Sequence, residues 1–127
     1  MNGRVRALYR IDAGPDGPAR ARGIVRSECS GRVPRRTLDT LLLLVSELVT
    51  NGIQHGRSNR DDSITLDLGL NSTLRFAVVD RGQGFAARAA RDRDGGWGLG
   101  VVERLADRWG VQRTQAGTRV WFETARD

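Results

Sequence analysis

Polar and apolar residues alternate over residues 4–11 (RVRALYRI), which predicts an opening strand, because an extended chain points successive side chains to opposite faces. Residues 12–18 are rich in Gly and Pro and read as a break. From 18 to about 31, Ala19, Ile24, Val25 and Cys29 recur at helical spacings and predict a first helix, and Pro34 ends the connection that follows. The strongest pattern runs from 36 to 56, where Leu38, Leu41, Leu42, Val45, Leu48, Val49 and Ile53 mark a stripe with a period near 3.6, the signature of a long buried helix. After a polar stretch at 57–62, residues 64–70 (ITLDLGL) alternate cleanly, Asn71-Ser72 turns, and residues 74–79 alternate again, predicting a hairpin. Residues 80–98 are loop-like. A helix over 99–108, with Val101, Val102, Leu105 and Ala106 on its apolar side, precedes two strands at 109–114 and 118–124 joined around Gly117.

The order β-α-α-β-β-loop-α-β-β, with strands following one another through short turns, points to an α+β two-layer sandwich: a mixed, mostly antiparallel sheet with helices on one face. The 127 residues suit a single domain, 1–127. With 39% hydrophobic and 28% charged residues, composition places the chain among globular proteins. The longest apolar run, Leu41-Leu42-Leu43-Leu44-Val45, is far short of the roughly 20 residues that span a bilayer. The charged, alternating first residues are unlike a signal peptide, so the expected location is cytoplasmic, with no membrane partner. A single cysteine, Cys29, cannot form an internal disulfide and reads as a small semi-buried residue.

Charge changes the picture less than its size suggests. The formal net charge is +6, and all 21 basic residues are arginine. They are scattered from Arg4 to Arg126 without interleaved aromatic residues, which argues against direct nucleic-acid binding. A solvated arginine-rich surface and an acidic protein partner both remain open.

Three constellations carry candidate chemistry. On the long helix, Glu47, Asn51 and His55 fall along one line at i, i+4, i+8, opposite the apolar stripe. A carboxylate can accept a proton and a carboxamide oxygen can coordinate a hard cation, although any amphipathic helix has a polar face. The second is Asp80-Arg81-Gly82-Gln83-Gly84-Phe85. If the alternation of the preceding strand continues, Asp80 shares the inward face of Phe76 and Val78, where a carboxylate needs a hydrogen-bond donor such as an exocyclic amine. Gly82 and Gly84 would let backbone approach a flat base, whereas a plain turn with an exposed Asp is the simpler alternative. The third, Gly95-Gly96-Trp97-Gly98-Leu99-Gly100, opens a helix and could bind an anion through backbone N–H groups, or serve only as a flexible linker. It is not a P-loop, which requires a lysine that this chain lacks.

The order of these segments is more specific than any one of them. The helix Ser46-Glu47-Leu48-Val49-Thr50-Asn51-Gly52-Ile53-Gln54-His55-Gly56, then Asp80-x-Gly-x-Gly, then Gly-x-Gly-Leu-Gly, resembles the N, G1 and G2 boxes of the GHKL ATPase superfamily, named for gyrase, Hsp90, histidine kinases and MutL. Within it, the SELVTN…HG helix and the closing strand Gly117-Thr118-Arg119-Val120-Trp121-Phe122 look most like the RsbW/SpoIIAB-type anti-sigma factor serine kinases. The resemblance implies the Bergerat ATP-binding fold, with ATP and Mg²⁺ as cofactors. It gives Asn51 the Mg²⁺ and Glu47 the role of general base. Asp80 would read the adenine amine, Thr118 would help hold a water beside it, and Gly82 and Gly84 would shape the adenine pocket. Gly96, Gly98, Leu99 and Gly100 would close on the phosphates. The loop 85–95 would be the ATP lid, with Arg88, Arg91 and Arg93 as candidate cations for the phosphates. His55 reads as a helix-end packing residue. The implied activity is a protein serine/threonine kinase that sequesters a sigma factor and phosphorylates its antagonist, acting as a homodimer through the first strand and helix. The alternative is a non-catalytic ATP-binding module that holds a protein partner.

Overall fold

In the computed structural model, which describes residues 5–53, 63–80, 99–115 and 117–127, the predicted hairpin forms from β2 (Ser63–Leu70) and β3 (Thr73–Asp80). Their register runs from Leu70↔Leu74 to Ile64↔Asp80, so Ile64, Leu66, Leu68 and Leu70 share one buried face with Leu74, Phe76 and Val78. β1 (Val5–Asp12) pairs with β2 along its whole length, contributing Ile11 to that face. β5 (Gly117–Ala125) pairs with β3 on the other side and β4 (Arg108–Thr114) closes the order β1-β2-β3-β5-β4. All four pairings in this sheet are antiparallel.

Helices α1 (Gly17–Cys29), α2 (Arg35–Asn51) and α3 (Leu99–Leu105) complete the described elements. α1 opens with Pro18, whose missing N–H and fixed φ suit a helix start. Two side-chain contacts hold α1 in place: Tyr9 Oη of β1 donates to Glu28, and Arg22 Nη1 donates to Ser46 Oγ of α2 at 2.9 Å. Burial pushes the Cys29 thiol up to about 11, the charge of Glu28 adds to the shift, and the residue sits fully buried as a neutral packing group.

α2 lies against α1, α3 and β3, and its buried face contains the predicted stripe but is wider than it. The fully covered positions are Leu41, Leu44, Val45, Leu48 and Val49, while Leu38 and Leu42 are only partly buried. The reason is that three neighbours share the helix, so burial extends from the stripe to Thr37, Leu44 and Asn51. At Gly52 the backbone N–H is shared between Leu48 O and Val49 O, the i−4 and i−3 carbonyls, a bifurcated bond common at helix ends. Its predicted continuation beyond residue 53 lies outside the described residues.

α3 is shorter than the alternation of residues 99–108 suggested. Asp107 N donates to Glu123 O at 2.9 Å and Asp107 Oδ2 accepts from Ala125 N at 2.9 Å, so the chain is captured by β5 and Arg108 already belongs to a strand. Between the helices and the sheet, Phe76 and Phe122 meet with ring centroids 5.5 Å apart at 42°. Among the described residues, no helix is long and apolar enough to cross a membrane.

Candidate functional site

The sequence-named polar residues converge at one end of the sheet because of register. Asp80 is the last residue of β3 and pairs with Ile64 of β2 on one side and Thr118 of β5 on the other. All three share the helix-covered face. Asp80 is 3% exposed and Thr118 is fully buried, so the inward orientation expected for Asp80 is what the strand alternation delivers. The site end of β5 is also tied down from behind. Arg119, on the opposite face, donates from Nη1 to Asp67 Oδ2 at 3.0 Å, linking β5 to β2 across β3.

Above this strand end lies the end of α2. Asn51 is 4% exposed, and among the described residues its buried Nδ2 donor has no hydrogen-bond partner. A buried amide donor without an acceptor costs about 1–3 kcal/mol, which a ligand oxygen can offset. Glu47 stands one turn earlier, about 6 Å along the axis, and is half-buried. The line Glu47–Asn51 therefore grades from a carboxylate reached by solvent to a carboxamide enclosed by protein.

Gly52 joins these two parts. A Cβ built there would lie 4.0 Å from Asp80 Oδ2 and 3.6 Å from both Ile64 Cδ1 and Val78 Cγ1. The hydrogen at this position leaves room beside the Asp80 carboxylate that any longer side chain would fill. Gly52 belongs to the helix that motivated the site, yet it was not singled out from sequence. Its signal was a glycine within a helical pattern, which costs about 1 kcal/mol relative to alanine and so asks for a packing or functional reason.

At the start of α3, Leu99 is buried in the core cluster, so its side chain anchors the helix and only its backbone could face a ligand. Gly100 is half-buried, and a Cβ there would meet nothing within 4 Å. Gly82, Gly84, Gly96 and Gly98, the loop 85–95 with Arg88, Arg91 and Arg93, and His55 lie outside the described residues.

Residues 12–124 match the family described as the Histidine kinase-like ATPase domain. The chain belongs to this histidine kinase-like ATPase family. The match spans β1's last residue to β5, and it includes both ends of the candidate site, the α2 line and the Asp80–Thr118 pair. As a histidine kinase-like ATPase domain, the chain has the architecture that supports ATP binding.

Among solved structures, the fold is similar to that of the RsbU and RsbW domains of Rv1364c from Mycobacterium tuberculosis, with a TM-score of 0.75 at 20% sequence identity. The superposition covers 95% of this chain and 32% of the other, so this histidine kinase-like ATPase domain spans about a third of the length of that protein chain. A search of curated proteins finds no match. The α+β sandwich and the GHKL family expected from sequence are thereby established.

Proposed function

We propose that this domain binds ATP with Mg²⁺ at the Asn51–Gly52–Asp80 end of the sheet and transfers the γ-phosphoryl group to a serine or threonine hydroxyl of a protein antagonist. We also propose that it holds a sigma factor, as an anti-sigma regulator. The observation that carries the nucleotide reading is the enclosed Asn51 carboxamide, whose donor is unanswered among the described residues, adjoining a glycine that leaves space at a buried carboxylate. The likeness to an RsbW-containing structure supports the regulatory reading.

The residues fit the nucleotide. Asp80, as an acceptor at the floor of the site, suits the exocyclic amine of adenine, and Thr118 beside it can hold a bridging water. Gly52 admits the edge of a flat base. Asn51 offers a carbonyl oxygen to a hard cation and its amide hydrogens to phosphate oxygens. Mg²⁺ keeps several waters and binds through few protein oxygens together with substrate phosphates, so a Mg²⁺ at Asn51 would share its coordination with phosphate and water. When bound, that ion neutralises charge on the phosphates.

In the transfer itself, the Glu47 carboxylate accepts the proton of the acceptor hydroxyl. The hydroxyl oxygen forms its bond to the γ-phosphorus as the bond to the β–γ bridging oxygen breaks, and ADP leaves. Glu47 is accessible enough to meet a protein substrate, whereas Asn51 behind it is enclosed. With no lysine in the chain, a permanently charged side chain at the phosphates must be an arginine. The proposed homodimer would use β1, an outer strand of the sheet, with α1 beside it.

The test combines γ-labelled ATP, Mg²⁺ and a candidate antagonist with calorimetry of nucleotide binding. Glu47→Ala is expected to abolish transfer while keeping ATP affinity within about threefold, below 1 kcal/mol. Asn51→Ala is expected to lose the Mg²⁺-dependent part of the affinity. Normal transfer by Glu47→Ala would remove the base, and unchanged affinity in Asn51→Ala would remove the metal ligand.

A further inference from the structure

The sheet face turned away from the helices is built differently from the site face. Asp67 accepts from Arg6 through Nε at 3.2 Å and Nη2 at 3.0 Å, and from Arg119 Nη1 at 3.0 Å. Glu123 pairs with Arg75 Nε at 3.3 Å and with Arg108 Nη1 at 3.5 Å. The acids lie low on the sheet, while the side chains of Arg6, Arg75 and Arg108 are 67%, 48% and 73% exposed. Each carboxylate thus roots two guanidinium groups, which present positive charge to solvent, while Leu8 of β1, opposite Asp67, is an exposed apolar residue among them. Arg10 extends the same face along β1 and is exposed too.

A rooted guanidinium retains N–H donors beyond those used by its anchor, in a fixed fork that matches a second carboxylate. Because its rotamer is already held, less entropy is lost when a partner binds. We infer that this arginine-covered face, centred on Arg75 and Arg108, docks an acidic protein surface rich in Asp and Glu.

Two observations select this occupant. A second copy of the chain carries the same +6 charge and the same arginine face, so face-to-face pairing is repulsive. Single-stranded nucleic acid would use an aromatic platform for its bases, and the aromatic residue here is engaged: Arg75 covers the Trp121 ring at 4.4 Å from its centroid. The indole also lies so close to Gly110 that a Cβ there would fall 2.9 Å from Trp121 Nε1. Trp121 serves to support Arg75.

The experiment uses fluorescently labelled poly-L-glutamate, read by anisotropy at low and near-physiological salt. Arg75→Glu/Arg108→Glu is compared with Arg35→Glu/Arg36→Glu, a charge-matched pair on exposed positions at the start of α2. The face pair is expected to weaken binding at least about tenfold and the helix pair by less than about threefold, with affinity falling as salt rises. Arg75→Gln/Arg108→Gln, which removes charge without adding acids beside Glu123, is expected to fall between wild type and the reversal; thermal melts report its folding. Equal losses in the two reversed pairs, or no binding of poly-L-glutamate by wild type, overturn the inference. So does a duplex DNA oligonucleotide that binds more tightly at the same salt and depends on the same arginines. ATP affinity, measured on the same samples, reports separately on the opposite face.

Discussion

Beneath the helices, the sheet presents Ile64, Leu66, Leu68, Leu74, Phe76, Val78, Val120 and Phe122, all buried, and then ends in Asp80 and Thr118. On its other side, the same strands present Asp67, Arg75, Arg119 and Glu123, joined as ion pairs. One side gains stability from apolar area removed from water and places its few polar groups at the edge, beside the end of α2. The other keeps its polar groups central and lets them answer one another. The proposed functions divide in the same way: a nucleotide site at the end of the dry face, and an arginine-bearing docking surface on the wet one.

Neighbouring residues on β3 give the sharpest break of this comparison. Phe76 points to the helices and packs against Phe122, whereas Arg75 points outward over Trp121. Phe76→Ala is expected to cost about 3–5 kcal/mol in denaturant unfolding, because it opens a cavity that neither sheet nor helix can collapse to fill. Arg75→Ala should cost about 0–1 kcal/mol, the range of an exposed cation–π contact and a screened ion pair. Similar costs at both positions would mean that the wet face is also a core.

Gly52 probes the edge of the dry face. Gly52→Ala puts a methyl group at ordinary contact distance from Ile64 and Val78, so folding and ATP affinity are expected to persist. Gly52→Leu extends into the space beside Asp80 and is expected to lose ATP affinity about a hundredfold, or ~2.8 kcal/mol, by calorimetry. A leucine variant that binds ATP as well as the alanine variant would dismiss the cradle.

Much of this was legible in the chain itself. Strict alternation in ITLDLGL and the following strand defined the hairpin, and extending it by one residue turned Asp80 inward. The family was legible in the order of three short segments, none of which was decisive alone. Other features depended on contacts between distant residues. The end of α3 was overestimated because Asp107 is claimed by Glu123 and Ala125 of β5, and helical periodicity carries no trace of that competition. The α2 core is wider than its apolar stripe, taking in Leu44 and Asn51, because α1, α3 and the sheet share its circumference, which a single stripe cannot represent. The arginines looked scattered for a similar reason. Arg6, Arg75, Arg108 and Arg119 gather only once five strands are laid in the order β1-β2-β3-β5-β4.

Asp67 tests whether the wet face holds itself together by charge. Burial pushes its carboxyl up, but the hydrogen bonds from Arg6 and Arg119, together with their charges, outweigh that and leave it below the usual carboxylate range. A carboxyl depressed in the folded state contributes stability that is present above its unfolded pKa and is lost as pH falls through the folded one. Asp67→Asn keeps the shape and an acceptor oxygen but removes the charge. At neutral pH it is expected to lose about 1–2 kcal/mol, a modest figure because Arg6 is solvent-exposed and screened. The gap from wild type should then narrow as pH falls below about 4, since a protonated Asp67 and an asparagine anchor the arginines about equally. Urea unfolding at a series of pH values measures it. A gap that stays constant into strong acid would mean that Asp67 acts by fit and hydrogen-bond geometry, and that charge does not hold Arg6 and Arg119 to the face.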